Sequence, residues 1–306
     1  MSYSKISISK LSIAVGLTLA VCLAAAGQAG RRPTNSRERM TMLNVVAARE
    51  DGSRVPITSK DLALYDDGIE QNIQNLTPDT GPARIVLLFD NSLSLRTDIP
   101  RLASVAREFA YEIYDGDQLL IAGFDERAEQ LSADWTDKTK EVEDAVALLR
   151  KKGNPHLFDA INDVIEVALR PLTGSNRKRV IVLVGDGLDR GSNTKFKDLL
   201  NELQKSDITV YALQIPDRTG GAHRRDQPKP TQVVQQLVEG TGGRILPLDK
   251  PAESAKIICD ELRQNRYLLS YAPTALPYSQ ARRLLIVGNP GIQVRYKSAQ
   301  PPTHRQ

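Results

Sequence analysis

The apolar positions of this chain change rhythm twice. From residue 43 they come in short, partly alternating runs. Leu43–Ala48 reads as a strand followed by the turn Asp51-Gly52, and Leu62–Tyr65 as a second strand closed by Asp66-Asp67-Gly68. Ile69, Ile73 and Leu76 then stand out among polar neighbours, so this block predicts β-structure throughout. Beyond Pro82 the texture is different. Ile85–Phe89 and Val180–Val184 are unbroken apolar runs, the pattern of strands buried on both faces of a parallel sheet. Gln118–Phe124, Thr209–Leu213 and a short run at 244–248 read as further strands. Between them, apolar residues recur at helical spacing over 99–114, 137–151, 157–169, 194–205, 231–239 and 251–264. After Gln264 the β rhythm returns in Tyr267–Tyr271, Leu284–Val287 and Ile292–Tyr296.

Strands alternating with helices predict an α/β fold, a doubly wound and mostly parallel sheet with helices on both faces. The late strands are expected to pair with the early ones, making a small β-module from the N- and C-terminal segments. Two separate β appendages are the alternative. The predicted division is a leader at 1–29, a flexible linker at 30–39 and the N-terminal part of the β-module at 40–81. The α/β domain follows at 82–265, then the C-terminal part of the β-module at 266–298 and a disordered tail at 299–306.

The leader is assigned from its layout. Lys5 and Lys10 precede the apolar run Leu11–Ala26, and small residues follow at Gly27-Gln28-Ala29, as in a secretory signal peptide. The 16-residue run falls short of the roughly 20 residues needed to span a bilayer. No later segment reads as a membrane span. An uncleaved anchor, or lipidation at Cys22, stays open, although Val21 is larger than the residue a lipidation signal prefers. The expected location is the cell envelope, the periplasm or outside the cell.

Composition narrows the chemistry. A chain with 41% hydrophobic and 25% charged residues is neither disordered nor fibrous. The formal charge of +4 falls to about +2 without the leader, and the basic groups lack interleaved aromatics, so no nucleic-acid partner is expected. Three His and two Cys leave no room for a His/Cys zinc centre. After cleavage Cys259 would be the remaining thiol, so no internal disulfide is expected.

Two of the fully apolar strands end in acidic loops. The first gives Asp90-Asn91-Ser92-Leu93-Ser94, a D-x-S-x-S pattern, and the second gives Gly185-Asp186-Gly187-Leu188-Asp189. In a doubly wound sheet, ligands bind beyond the carboxyl ends of the strands. Carboxylates and hydroxyls without thiol or imidazole suit a hard divalent cation: Mg²⁺, with Mn²⁺ or Ca²⁺ as alternatives. The candidate metal residues are Asp90, Ser92, Ser94 and Asp186. Asp189 reads as a residue that stabilises its loop, and His156 as a solvent-facing loop histidine.

These motifs resemble the von Willebrand factor type A domain with its metal-ion-dependent adhesion site, and more narrowly an exported bacterial family of such proteins common in acidobacteria. Asp61–Gln71, Thr241-Gly242-Gly243-Arg244 and the run from Glu261-Leu262-Arg263 through Tyr267 to Tyr271-Ala272-Pro273 resemble that family's other segments. The resemblance implies that Ser92 and Ser94 bind the cation directly and that Asp90 and Asp186 support it, partly through water. It implies an open coordination position that accepts an acidic side chain of a protein partner. One departure stands out: Pro155 occupies the position where the family carries a threonine ligand, in Gly153-Asn154-Pro155-His156-Leu157-Phe158-Asp159-Ala160. A water or Asn154 could fill that place, and a metal-free interaction module is the alternative reading.

The enzyme reading to weigh against this is a phosphatase of the haloacid dehalogenase type, which also puts an Asp at a strand end. There a second Asp two residues on serves as general acid and base. Here Ser92 stands in that position, and a serine hydroxyl has no useful pKa for the task. Nucleophile–base pairs, P-loops and H-E-x-x-H are missing too, so no catalytic activity is expected.

Overall fold

The computed structural model describes residues 40–172, 178–216, 228–274, 276 and 279–302. The expected leader and linker (1–39) and residues 173–177, 217–227, 275, 277–278 and 303–306 lie outside the described residues. The chain is followed from β1 (Thr41–Arg49), β2 (Leu62–Asp66), β3 (Ile69–Gln71) and β4 (Ile73–Pro78) into β5 (Ala83–Asp90). Helix α1 (Ile99–Glu112) leads to β6 (Gln118–Phe124) and the short β7 (Ala128–Gln130). Helices α2 (Thr139–Val146) and α3 (Leu157–Val164) precede β8 (Lys178–Gly185). Then come α4 (Phe196–Lys205), β9 (Thr209–Gln214), α5 (Pro230–Thr241), β10 (Ile245–Pro247) and α6 (Pro251–Gln264). The chain closes with β11 (Arg266–Tyr271), β12 (Arg282–Gly288), β13 (Ile292–Tyr296) and β14 (Ala299–Gln300).

The central sheet runs β10-β9-β8-β5-β6-β7, parallel except for β7. Every residue of β5 is buried, as its unbroken apolar run requires. Alternate residues serve opposite layers. Ile85, Leu87 and Phe89 pack with Leu102, Phe109, Val142, Ile258 and Leu262 from α1, α2 and α6. Val86 and Leu88 pack with Phe158, Ile161, Leu199, Val234 and Leu237 from α3, α4 and α5. The fold is thus a doubly wound α/β sheet covered on both faces. From β5 the chain moves outward to β6, then crosses back to β8 on the other side. The point where the strand order reverses therefore lies between β5 and β8.

The terminal strands do pair with each other. One antiparallel sheet runs β13-β1-β11-β4 and a second runs β14-β12-β2-β3. Their facing sides share a core of Leu43, Val45, Leu64, Leu269, Tyr271, Leu284 and Ile286. Separate appendages are excluded, because β1 lies between β11 and β13.

Two of the strands differ from the sequence expectation, and the helix expected over 137–151 is shorter, Thr139–Val146. The tail expected to be disordered from 299 instead begins with β14, whose Ala299 and Gln300 pair with Arg283 and Arg282. Two residues carry too little pattern to signal a strand, and the pairing with β12 supplies the missing hydrogen bonds. Likewise β7, three residues with one intermediate and two exposed positions, has no apolar rhythm to read. It forms because β6 would otherwise expose an unpaired edge.

Candidate metal centre

β5 and β8 lie side by side in parallel register, with Phe89 opposite Val184. Their loops therefore leave the sheet together. Asp90, 1% exposed, closes β5, and its Oδ1 accepts from the Ser92 amide at 2.9 Å. That turn bends the loop sharply enough to bring the Ser92 and Ser94 hydroxyl oxygens within 3.0 Å of each other. On the neighbouring strand Asp186, 5% exposed, accepts from the Leu188 amide at 2.9 Å in the same kind of turn.

Close packing around the Asp186 loop depends on small residues. A Cβ at Gly185 would lie 3.1 Å from the Cβ of Asp90. Gly187 has φ +83°, and a Cβ there would meet the Pro230 carbonyl oxygen at 2.4 Å. The structure thus brings all four predicted residues to one carboxyl edge of the sheet, at its switch point.

Burial pushes the Asp90 carboxyl up to about 7, against hydrogen bonds from Ser92 that favour its ionised form. Asp186 raises it further, and Lys151 draws it down. Lys151 was not singled out from the sequence. Its Nζ donates to the Ser92 carbonyl at 3.0 Å and to the Leu95 carbonyl at 2.8 Å, inside the site loop. Nothing in its local sequence, one lysine of a Lys-Lys pair, marks it as different from a solvated residue.

The donor set fits a hard divalent cation. Two hydroxyl oxygens at 3.0 Å match the edge between adjacent ligands of an octahedron with metal–oxygen distances of about 2.1 Å. Two buried carboxylates stand at the same edge. The third segment adds no side-chain oxygen at its key position: Pro155 is buried, and its carbonyl accepts from the Arg190 amide at 2.7 Å. Asn154, the other stand-in, is exposed.

Asp189 has a structural task. It accepts from the Phe158 amide at 3.2 Å, and Ser192 Oγ accepts from the amides of Phe158 and Asp159 at 3.1 Å each, so together they cap α3. His156 is half-buried rather than solvent-facing, its ring filling the space beside Gly191. Among the described residues no group of three or more His, Cys, Asp or Glu is placed to hold a metal.

A family model described as von Willebrand factor type A domain matches residues 85–245. No curated protein sequence matches the chain. Among solved structures, one similar chain is a von Willebrand factor type A from Catenulispora acidiphila, 11% identical over 86% of this chain and 72% of that one, TM-score 0.48. Another is an aerotolerance-related membrane protein from Bacteroides fragilis NCTC 9343 with multiple mutations to serines, 17% identical over 59% and 98%, TM-score 0.46. A third, proximal thread matrix protein 1 from the mussel byssus with a zinc-occupied MIDAS motif, is 15% identical over 63% and 48%, TM-score 0.45.

Proposed function

The chain belongs to the von Willebrand factor type A domain family, and from that premise we propose that it is a non-catalytic protein-interaction module that grips its partner through a divalent cation. The observation that carries this reading is the convergence of Asp90, Ser92, Ser94 and Asp186 at the switch point, with the two hydroxyls at octahedral spacing. Ser92 and Ser94 would be direct ligands. Asp90 and Asp186 would supply the negative charge that draws the ion in, and Mg²⁺ suits the oxygen set. A bound ion supplies an electrophilic coordination position, which an aspartate or glutamate of a protein partner would complete.

Against a phosphatase, the position two residues beyond Asp90 holds Ser92, whose hydroxyl has no useful pKa for proton transfer. The leader pattern supports export to the cell envelope. No helix among the described residues is long and apolar enough to cross a membrane.

Calorimetry with Mg²⁺ and Mn²⁺ tests the reading. Wild type is expected to bind one ion and Ser92→Ala to lose it. Capture of a partner from envelope extract should then fail in chelator. Pro155 favours the second reading, a module that has kept the fold and lost the ion. Chelator-insensitive capture together with silent calorimetry would establish that one instead.

A further inference from the structure

We propose that Lys151 is a built-in counter-cation of the metal centre, a tethered positive charge that weakens the hold on the divalent ion and favours an acidic partner once the ion is bound. The proposal rests on the cation-site reading above.

Its first support is anchoring. Two of the three ammonium protons are committed to the Ser92 and Leu95 carbonyls, at 3.0 and 2.8 Å, so the charge is held inside the loop that carries the serine ligands. The segment around it is knitted to the same loop by backbone and amide bonds. Asn91 Nδ2 donates to the Arg150 carbonyl at 2.6 Å, the Lys152 amide donates to the Asn91 carbonyl at 3.0 Å, and the Leu93 amide donates to the Gly153 carbonyl at 3.1 Å. A surface lysine swings freely on its four-carbon stem, whereas this one is half-buried and held in place.

The second support is electrostatic. Burial pushes the Lys151 amine down, and Asp90 and Asp186, which both act on it, oppose that and favour its charged form. Without a metal ion the ammonium offsets part of the repulsion between two buried acids. With a divalent ion present, the two carboxylates neutralise it, and Lys151 leaves one net positive charge. That charge matches a single carboxylate from a partner. The segment that lacks the threonine oxygen, at Pro155, is thus the segment that brings a positive charge, and both features loosen the ion.

Titration of Mn²⁺ alone into the full chain, followed by calorimetry, tests this. Lys151→Gln keeps a donor for the two carbonyls and removes the charge, and Lys151→Met is a second neutral variant if the first does not fold. Either neutral variant is expected to bind Mn²⁺ about tenfold tighter than wild type, the effect of one nearby screened unit charge. Lys151→Arg, which keeps the charge, should bind within about twofold of wild type. A silent wild type with a binding neutral variant also upholds the proposal. If wild type binds and the neutral variants bind equally or more weakly, Lys151 has no such role and the cation site stands. If no protein binds, the cation site itself fails and the Lys151 proposal with it.

Discussion

Strand β8 buries a charge at each end, and the two ends could hardly be treated more differently. At its amino end Lys178, its side chain 1% exposed, donates to the Gly81 carbonyl at 2.7 Å and faces Asp79 at 3.9 Å. Arg266, equally buried, stands 4.0 Å from the same Asp79 and donates to Thr209. Neighbouring Arg84 donates to the Gly116 carbonyl at 3.0 Å. These groups lie where the terminal β-strands join the central sheet, and Asp79 itself hydrogen-bonds the Arg266 carbonyl. At its carboxyl end β8 delivers Asp186 next to another acid, Asp90. One edge pairs buried charges of opposite sign and roofs them with a second layer. The other sets two buried acids side by side, with the Lys151 ammonium acting on both. The first arrangement holds two parts of the fold together, and the second is where we propose that the cation binds.

Removing an acid should therefore have opposite results at the two edges. Asp79→Ala strands two buried cations, and we expect a loss of about 3–5 kcal/mol in urea denaturation. Asp186→Asn should leave the metal-free protein as stable as wild type or more so, while abolishing stabilisation by Mn²⁺. In wild type that stabilisation is about 2.7 kcal/mol at a hundredfold excess over Kd, readable as a thermal shift against chelator. If Asp186→Asn destabilises the metal-free protein as much as Asp79→Ala does, the contrast between the edges collapses.

The amino edge also has a pH signature. Burial lowers the Lys178 amine to about 8, opposed by Asp79 and reinforced by Arg266. In the unfolded chain a lysine titrates near 10.4. Between those values the unfolded state holds more protons, so stability should rise as pH climbs through that window, by on the order of 2 kcal/mol. Lys178→Met should flatten that rise in denaturation curves at pH 8 and 10. The smallest effect is expected at the carboxyl edge. Pro155→Thr puts a hydroxyl on this segment, where the family resemblance places a threonine ligand, and should tighten Mn²⁺ binding several-fold, roughly 1 kcal/mol by calorimetry. Unchanged affinity would mean that this segment does not face the ion.

Much of the molecule was already legible in the order of residues. Continuous apolar runs announced β5 and β8, and helical spacing announced α1 and α6, because burial on one face or two imposes a period that survives in one dimension. The D-x-S-x-S loop was legible for the same local reason: Asp90, Ser92 and Ser94 lie within five residues, and one turn brings their oxygens together. Tertiary structure decided the rest. Asp186 meets Asp90 because β8 pairs with β5 across a crossover, with Gly185 small enough to let the two loops close up. Lys151 reaches the site from a segment 59 residues beyond Ser92, and Asp79 faces a lysine and an arginine from two distant strands. Such meetings depend on strand order and register. Local periodicity records only which face of an element is buried, and is silent about which element it is buried against.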